Sequence, residues 1–161
     1  MSATVAPSRV IDRIKSRVVV TDDGCWQWTR ALTNGYGQIG WHEGGMPHHA
    51  LVHRVMFEAE VGAIPAELSL DHLCHNANEC AGGARCPHRR CCNPEHLKPV
   101  TTRVNVLRGC GFAAENASKT TCPQGHPYTS ANTYVDPASG WRQCRTCRSE
   151  HARAFRARSA R

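Results

Sequence analysis

The chain has 161 residues, 40% of them hydrophobic and only 6% aromatic, which indicates one domain, or one small domain with an appendage, around a thin core. It carries a formal net charge of +7 and contains 10 cysteines and 10 histidines. No apolar run could span a membrane and no signal-peptide h-region is seen, so metal-binding cysteines in a reducing cytosol are expected rather than a secreted disulfide scaffold.

The positive charge is concentrated at the C-terminus. Residues 141–161 contain seven Arg and one Glu, a net of +6, whereas the other 140 residues carry 13 Lys or Arg and 12 Asp or Glu, a net of +1. A concentrated arginine run is the electrostatic footprint expected for a phosphate-backbone partner. A solvated, disordered tail is the alternative.

The N-terminal half predicts a short helix, three strands and a second helix. Residues 9–20, RVIDRIKSRVVV, place apolar side chains at four-residue steps, which suits an amphipathic helix. Asn34-Gly35 is a hairpin signal, and Gly44-Gly45 makes a further turn. The strands are predicted at Cys25–Thr29, Tyr36–Trp41 and His48–Val52, and the second helix at His53–Val61.

The central region predicts a strand, a metal-rich loop, a partner strand and a helix. Leu68–Asp71 is the first strand and Leu97–Val100 is the second. Thr101 is the predicted N-cap of a helix over residues 102–108, which stops at Gly109. This order is a ββα unit.

Asp71, His72 and Asn105 stand at the two ends of this metal-rich stretch. Phosphodiester hydrolysis needs a base to activate water and a cation to stabilise charge on the phosphate and the leaving oxygen. A neutral histidine can be that base near pH 7, and carboxylate and amide oxygens are ligands that Mg²⁺ prefers. The pattern predicts a nuclease site.

The motifs DHLC and CNPEHL, followed by the Thr and Asn of TTRVN, resemble the ββα-metal nucleases: the HNH endonucleases and the related His–Cys box homing endonucleases. The resemblance implies that His72 is the general base. It also implies that Asp71 and Asn105 hold the catalytic metal ion.

The middle letter of the H-N-H pattern, often Asn, is His96 in this chain. His96 is therefore expected to orient His72, to bind zinc, or to do both. Asn93 is the other candidate for the middle letter, although Asn93-Pro94 is interpreted here as a pair of turn residues.

The resemblance to the His–Cys box group covers residues 70–105 and implies a structural zinc ion. The positions matching that group's ligands are Cys74, Cys91 and His96, with Cys25 as the earlier cysteine. A buried strand thiol is the alternative interpretation of Cys25.

Two further sets of ligands follow from spacing. The insert between Cys74 and Cys91 carries four nitrogen and sulfur donors within fourteen residues, which predicts a closed tetrahedral site. A site that exchanges ligands with Cys74 or Cys92 is the alternative. A Cys-x3-His and a Cys-x2-Cys pair near the C-terminus resemble a zinc ribbon. The insert set is His75, Cys80, Cys86 and His88, and the C-terminal set is Cys122, His126, Cys144 and Cys147.

From Cys144 onward the chain predicts a basic helix suited to backbone or groove contact with DNA. The arginines expected to bind DNA are Arg142, Arg145, Arg148, Arg153 and Arg156.

The predicted fold class is α+β: a zinc-stabilised ββα-metal nuclease core with N-terminal antiparallel strands, a small zinc-ribbon-like module and a basic helix. The predicted segments are an N-terminal arm and short helix at 1–24, the nuclease domain at 25–109, a linker at 110–120 and the C-terminal module at 121–161.

The function expected is a metal-dependent DNA endonuclease of the homing or phage HNH type. Mg²⁺ or Mn²⁺ would be catalytic, and two or three Zn²⁺ ions would be structural. The partner would be double-stranded DNA, with no membrane, in the cytoplasm of a bacterial or phage-infected cell, and the enzyme would be a monomer or a homodimer. A non-catalytic zinc-stabilised DNA-binding protein and, more weakly, a Cys/His protein–protein adaptor are the alternatives.

Overall fold

The computed structural model describes residues 6–77, 80, 82–83, 85–109 and 111–159, with only the backbone described at Ala77. The chain divides into two compact units, residues 1–114 and residues 115–161. Residues 1–5 of the predicted N-terminal arm lie outside the described residues.

A helix and a two-stranded sheet open the first unit. They are α1 (Ser8–Lys15), β1 (Val18–Val20) and β2 (Trp26–Trp28). The two strands are antiparallel, with Val18 opposite Trp28. The prediction of one helix over residues 9–20 is therefore wrong beyond Lys15, because three consecutive β-branched valines favour an extended backbone.

A three-stranded antiparallel sheet and a helix follow. They are β3 (Leu32–Thr33), β4 (Tyr36–Glu43), β5 (Met46–Leu51) and α2 (Val52–Glu60). Asn34 and Gly35 both have positive φ, +49° and +85°, so the hairpin turn predicted at these residues is confirmed. Its first strand is β3, which was not predicted, because the strand expected at Cys25–Thr29 pairs with β1 instead. Glycine is needed at position 37, because a Cβ there would lie 2.8 Å from the Trp28 ring.

Helix α2 connects two hydrophobic clusters. In the larger one, Val52 and Met56 of this helix pack with Val10 and Ile14 of α1 and with the inward side chains of β2 and β4. In the smaller one, Phe57 contacts Leu70 and Leu97. Helix α2 therefore packs against both the N-terminal elements and the central region.

The predicted ββα unit is present. Its elements are β6 (Leu68–His72), α3 (Leu73–Ala77), β7 (Leu97–Thr101) and α4 (Thr102–Arg108), with short 3-10 helices at Pro87–Arg90 and Pro94–His96 in the loop. Strands β6 and β7 are antiparallel, with His72 opposite Leu97. Thr101 is confirmed as the N-cap of α4, since its Oγ1 accepts a hydrogen bond from Val104 N at 3.3 Å.

The C-terminal elements are α5 (Phe112–Ser118), β8 (Thr133–Val135), β9 (Arg142–Cys144) and α6 (Arg145–Ser159). Helix α5 occupies part of the stretch 110–120, where the sequence predicted only a polar linker; its Ala-Ala-Glu run favours helix, and Cys110 lies outside the described residues. The predicted basic helix is confirmed as α6. The mixture of antiparallel sheets and helices makes the fold class α+β.

Within the described ranges, none of the helices combines the length and the apolar character needed to cross a membrane.

Candidate active site and metal centres

The first cluster of metal-binding side chains brings together Cys25, Cys74, Cys91 and His96, whose donor atoms all lie within 4.8 Å of one another. His96 Nδ1 is 3.5 Å from the sulfur of Cys25 and 3.7 Å from that of Cys91. A bridge between Cys91 and Gln27 of β2 draws the loop onto the N-terminal sheet. Residues separated by up to 71 positions therefore meet at one point.

The three thiols of this cluster differ in pKa. The hydrogen bond with Cys74 lowers the pKa of Cys91 to about 5 and raises the pKa of Cys74, while burial raises the pKa of Cys25 to about 12. Metal ligation requires thiolates. Cys91 is thus the thiol of the three that loses its proton most readily.

The second cluster lies in the insert and consists of His75, Cys80, Cys86 and His88. The sulfur of Cys86 is 3.5 Å from the Cys80 sulfur, 3.5 Å from His75 Nδ1 and 3.6 Å from His88 Nδ1. The structure groups these four as the spacing predicted, and Cys74 belongs to the first cluster instead.

The third cluster lies in the second unit and consists of Cys122, His126, Cys144 and Cys147. The sulfur atoms of Cys122 and Cys147 are 3.6 Å apart, and His126 Nδ1 is 3.2 Å from the Cys147 sulfur. The other ring nitrogen of His126 faces the Glu150 carboxylate at 3.9 Å. A carboxylate on that side favours Nδ1 as the atom that binds a metal ion.

The donor separations given above, from all three clusters, fit a tetrahedral zinc ion. With Zn–S bonds of about 2.3 Å and Zn–N bonds of about 2.0 Å, neighbouring donors in such a site lie roughly 3.3–3.8 Å apart. The separations given above lie between 3.2 and 3.7 Å. A disulfide would need sulfur atoms about 2.05 Å apart, and no pair of cysteines in the described part of the chain is joined in this way.

A cleft of about 450 Å³ lies beside the ββα unit. Asp71 and His72 from β6 and Asn105 from α4 all line it, so three of the four predicted catalytic side chains share one cavity. His75 of the second cluster lines it as well.

His72 is oriented by the backbone of Cys91. Its Nε2 lies 3.1 Å from the Cys91 carbonyl oxygen, which can only accept, so Nε2 carries the proton and Nδ1 keeps the lone pair. Burial lowers the pKa of His72 to about 4, so the ring is neutral near pH 7. The rings of His53 and Tyr36 lie 5.0 and 5.9 Å away and restrict its rotation.

Asp71 is buried and already has partners. Asn76 Nδ2 donates to its two oxygens at 3.2 and 3.1 Å, and Arg108 donates to Oδ2 at 3.2 Å. A carboxylate has about four acceptor positions, so roughly one stays open for a metal ion. Asn105 Nδ2 donates to Ser69 Oγ at 3.4 Å, which leaves the amide oxygen as a hard ligand. This donor set fits a magnesium-type ion.

His96 and Asn93, the two candidates for the middle letter, both lie outside the residues that line the cleft. His96 is in the first metal cluster. Asn93 caps the short helix that follows it by accepting from Glu95 N at 3.0 Å, and it donates to Gly24 O at 2.9 Å. Its interpretation as a turn residue is confirmed.

Three polar side chains that line the cleft were not predicted: Tyr36, Asn76 and Arg89. Arg108, which donates to Asp71, was not predicted either. Asn76 lies only five residues after Asp71, on the short helix α3, so the sequence spacing is the signal by which its contact with Asp71 can be found. The Tyr36 ring reaches His72 from another sheet, and only long-range packing could reveal that contact.

Arg142 has partners within its own unit. Its guanidinium donates to the backbone carbonyls of Asn116 and Lys119, at 2.7 Å for the latter, and lies 4.2 Å over the Tyr128 ring. This arginine therefore supports the folded unit.

The arginines of α6 fall into two groups. Arg145 and Arg148 lie over the Tyr134 ring at 6.0 and 5.7 Å. Arg153 and Arg156 are exposed farther along the helix. The distal arginines are therefore the better placed for an external anion.

One segment of the chain is similar to a known protein family. Residues 50–81 match the sequence model of the HNH endonuclease family. The matched segment contains Asp71, His72 and Cys74, and it ends before Cys91 and Asn105.

Two phage proteins are similar to part of the chain. Protein 2.8 of Escherichia phage T7 is 35% identical over 95 residues, which are 58% of this chain and 55% of that protein. The Uncharacterized gene 5.3 protein of Enterobacteria phage T3 is 31% identical over 70 residues, 44% of this chain and 57% of that protein. The chain thus spans slightly more than half the length of these relatives. No solved structure matches it.

The segment that is similar to the HNH endonuclease family carries the Asp71-His72 pair that lines the cleft.

Proposed function

We propose that the chain is a metal-dependent DNA endonuclease, with His72 as the general base. The observation that supports this best is the shared cleft, in which His72 lies with Asp71 and Asn105 while its Nε2 is held by the Cys91 carbonyl. That hydrogen bond leaves Nδ1 as the proton acceptor.

In the proposed reaction, His72 Nδ1 takes a proton from a water molecule whose oxygen attacks phosphorus. A new P–O bond forms and the P–O bond to the leaving sugar oxygen breaks, with solvent supplying the proton that this oxygen takes up. Burial keeps the ring neutral before the step, and the anionic phosphate favours its charged form afterwards. A bound Mg²⁺ or Mn²⁺ on Asp71 and Asn105 would neutralise charge on the phosphate and the leaving oxygen.

Three zinc ions are proposed as structural, one in each Cys/His cluster. In the first unit, the first zinc would fix Cys91 and thereby His72, while His96 acts as a ligand of that ion. In the second unit, the third zinc would stabilise the module that carries α6, whose exposed arginines bind the DNA backbone. We infer that the enzyme acts on double-stranded DNA in the cytoplasm of a phage-infected cell.

A non-catalytic zinc-stabilised DNA-binding protein is the second candidate. The ion pair of Asp71 with Arg108 favours it, because a carboxylate with a guanidinium partner can be purely structural. Magnesium-dependent cleavage of plasmid DNA by the purified chain distinguishes the two functions.

A further inference from the structure

We propose that Arg89 contacts the scissile phosphate and stabilises the negative charge that develops on it, an inference that rests on the proposed nuclease function. Among the described residues that line the cleft, Arg89 alone is a lysine or an arginine. Arg108 donates to Asp71 at 3.2 Å but lines a neighbouring pocket. Arg89 is therefore the described arginine that shares this cavity with His72 and Asp71.

Arg89 is held in place before any substrate arrives. Its NH1 donates to the carbonyl oxygen of Asn34 at 2.8 Å, and its guanidinium lies 4.9 Å from the centre of the Tyr36 ring. Tyr36 in turn contacts His72. The hairpin turn between β3 and β4 thus supports both the proposed base and this cation.

The backbone of Arg89 is held by residues of the second metal cluster. The 3-10 helix Pro87–Arg90 carries it, and Arg89 N donates to the carbonyl of Cys86 at 3.2 Å. Cys86 and His88 are both members of the cluster, so a metal ion there would lock the backbone on which Arg89 sits. The insert would then serve catalysis as well as folding.

The chemistry of the guanidinium suits a phosphate. Arginine has five N–H donors in a planar fork, and Asn34 uses one of them. The remaining donors can bind two phosphate oxygens at once, and such pairs are among the stronger hydrogen bonds in proteins. A fixed cation where charge develops needs no reorganisation during the reaction.

The test compares Arg89→Met with Arg90→Met in the full-length, zinc-loaded protein. Methionine keeps an apolar stem against Tyr36 but removes the charge, and Arg90 is the exposed neighbour on the same 3-10 helix. The substrates are plasmid DNA and bis(p-nitrophenyl) phosphate, a small diester that makes no groove contacts. Zinc content, melting temperature and DNA affinity are measured for each variant.

Arg89→Met is expected to slow cleavage of both substrates by about 10²–10³-fold, mainly in kcat, with zinc content unchanged. Guanidinium chloride should restore part of the rate, and Arg90→Met should behave as wild type. If Arg89→Met loses zinc, Arg89→Lys keeps the charge and must retain more activity than Arg89→Gln at equal zinc content. Equal rates for Arg89→Met and Arg90→Met would overturn the proposal, whereas a wild-type protein inactive with both Mg²⁺ and Mn²⁺ would instead refute the nuclease function.

Discussion

Cys91 acts on His72 through its backbone while its side chain belongs to a metal cluster. The Cys91 carbonyl lies 3.1 Å from His72 Nε2, and the Cys91 sulfur lies 3.7 Å from His96 Nδ1. The position of one residue therefore sets both the tautomer of the proposed base and the geometry of a proposed zinc site. We expect zinc in the first cluster to be needed for catalysis even though its four ligands lie outside the residues that line the cleft.

A direct consequence concerns the adjacent pair Cys91 and Cys92. Cys91→Ala should lose one zinc ion and nearly all cleavage activity. Without that metal ligand, the backbone at position 91, whose carbonyl holds His72 Nε2, is no longer fixed. Cys92 is equally buried, but its sulfur faces the Trp26 carbonyl at 3.4 Å and belongs to no metal cluster. Cys92→Ala is therefore the matched control and should keep all metal and most activity. Metal analysis and plasmid cleavage on both variants decide the matter, and equal zinc loss from the two would contradict it.

Metal content is the second prediction. Native mass spectrometry of the purified protein should show three tightly held zinc ions, one for each Cys/His cluster, while cleavage still requires added Mg²⁺ or Mn²⁺. Zinc binding contributes on the order of 10 kcal/mol to the folding of small Cys/His modules, so chelation should unfold the second unit. A metal-free protein with disulfides is incompatible with this account.

The pH dependence of stability is predicted from His53. Burial lowers the pKa of His53 to about 3, whereas a histidine in the unfolded chain has a pKa near 6.5. Between these values the unfolded state binds a proton that the folded state does not. The free energy of unfolding should therefore fall as the pH drops through this window, by about 1.4 kcal/mol per pH unit for this one group.

The variant His53→Phe keeps a ring against Tyr36 and His72 but removes the titrating group. Urea unfolding between pH 6.5 and pH 5 should show a shallower pH slope for the variant, by about one proton. His72 and the metal ligands titrate in both proteins and cancel in the comparison. Identical slopes would mean that His53 is not buried in its neutral form.

Salt dependence tests the distal arginines of α6. Replacing Arg153, Arg156 and Arg158 with Gln should weaken DNA binding and flatten the slope of log K against log salt by up to about 2.7, since each phosphate contact contributes about 0.9. The triple control Arg30→Gln, Arg85→Gln and Arg90→Gln removes the same charge from other exposed positions. Binding isotherms across a salt series should give a flatter slope for the α6 variant than for the control. Equal slopes would mean that the α6 arginines do not contact DNA.

Local sequence signals predicted most of the elements that build the site. The Asn34-Gly35 turn and the Thr101 cap are short-range features that tertiary packing did not override. Cysteine and histidine spacing predicted the insert set and the C-terminal set, and the resemblance to the His–Cys box group implied the first set; the structure brings the members of each set together.

Features that depend on distant contacts were not predictable in this way. Arg89 meets Asn34 across 55 positions, and Tyr36 reaches His72 from a separate sheet. The four-residue spacing of apolar side chains in the N-terminal helix continues to Val18, but pairing with β2 makes Val18–Val20 a strand. In each case the deciding interaction lies outside the window that periodicity or spacing covers.

The most direct test of the account is the rate of plasmid cleavage by the wild-type protein and by His72→Ala, with and without Mg²⁺. The wild type should cleave only with Mg²⁺ or Mn²⁺, and His72→Ala should be slower by about 10²–10⁴-fold, with zinc content and DNA affinity retained. His42→Ala, which changes an exposed histidine of β4, should cleave at the wild-type rate. A His72→Ala variant that cuts as fast as the wild type, or a wild-type protein that does not cut at all, would contradict the central claim.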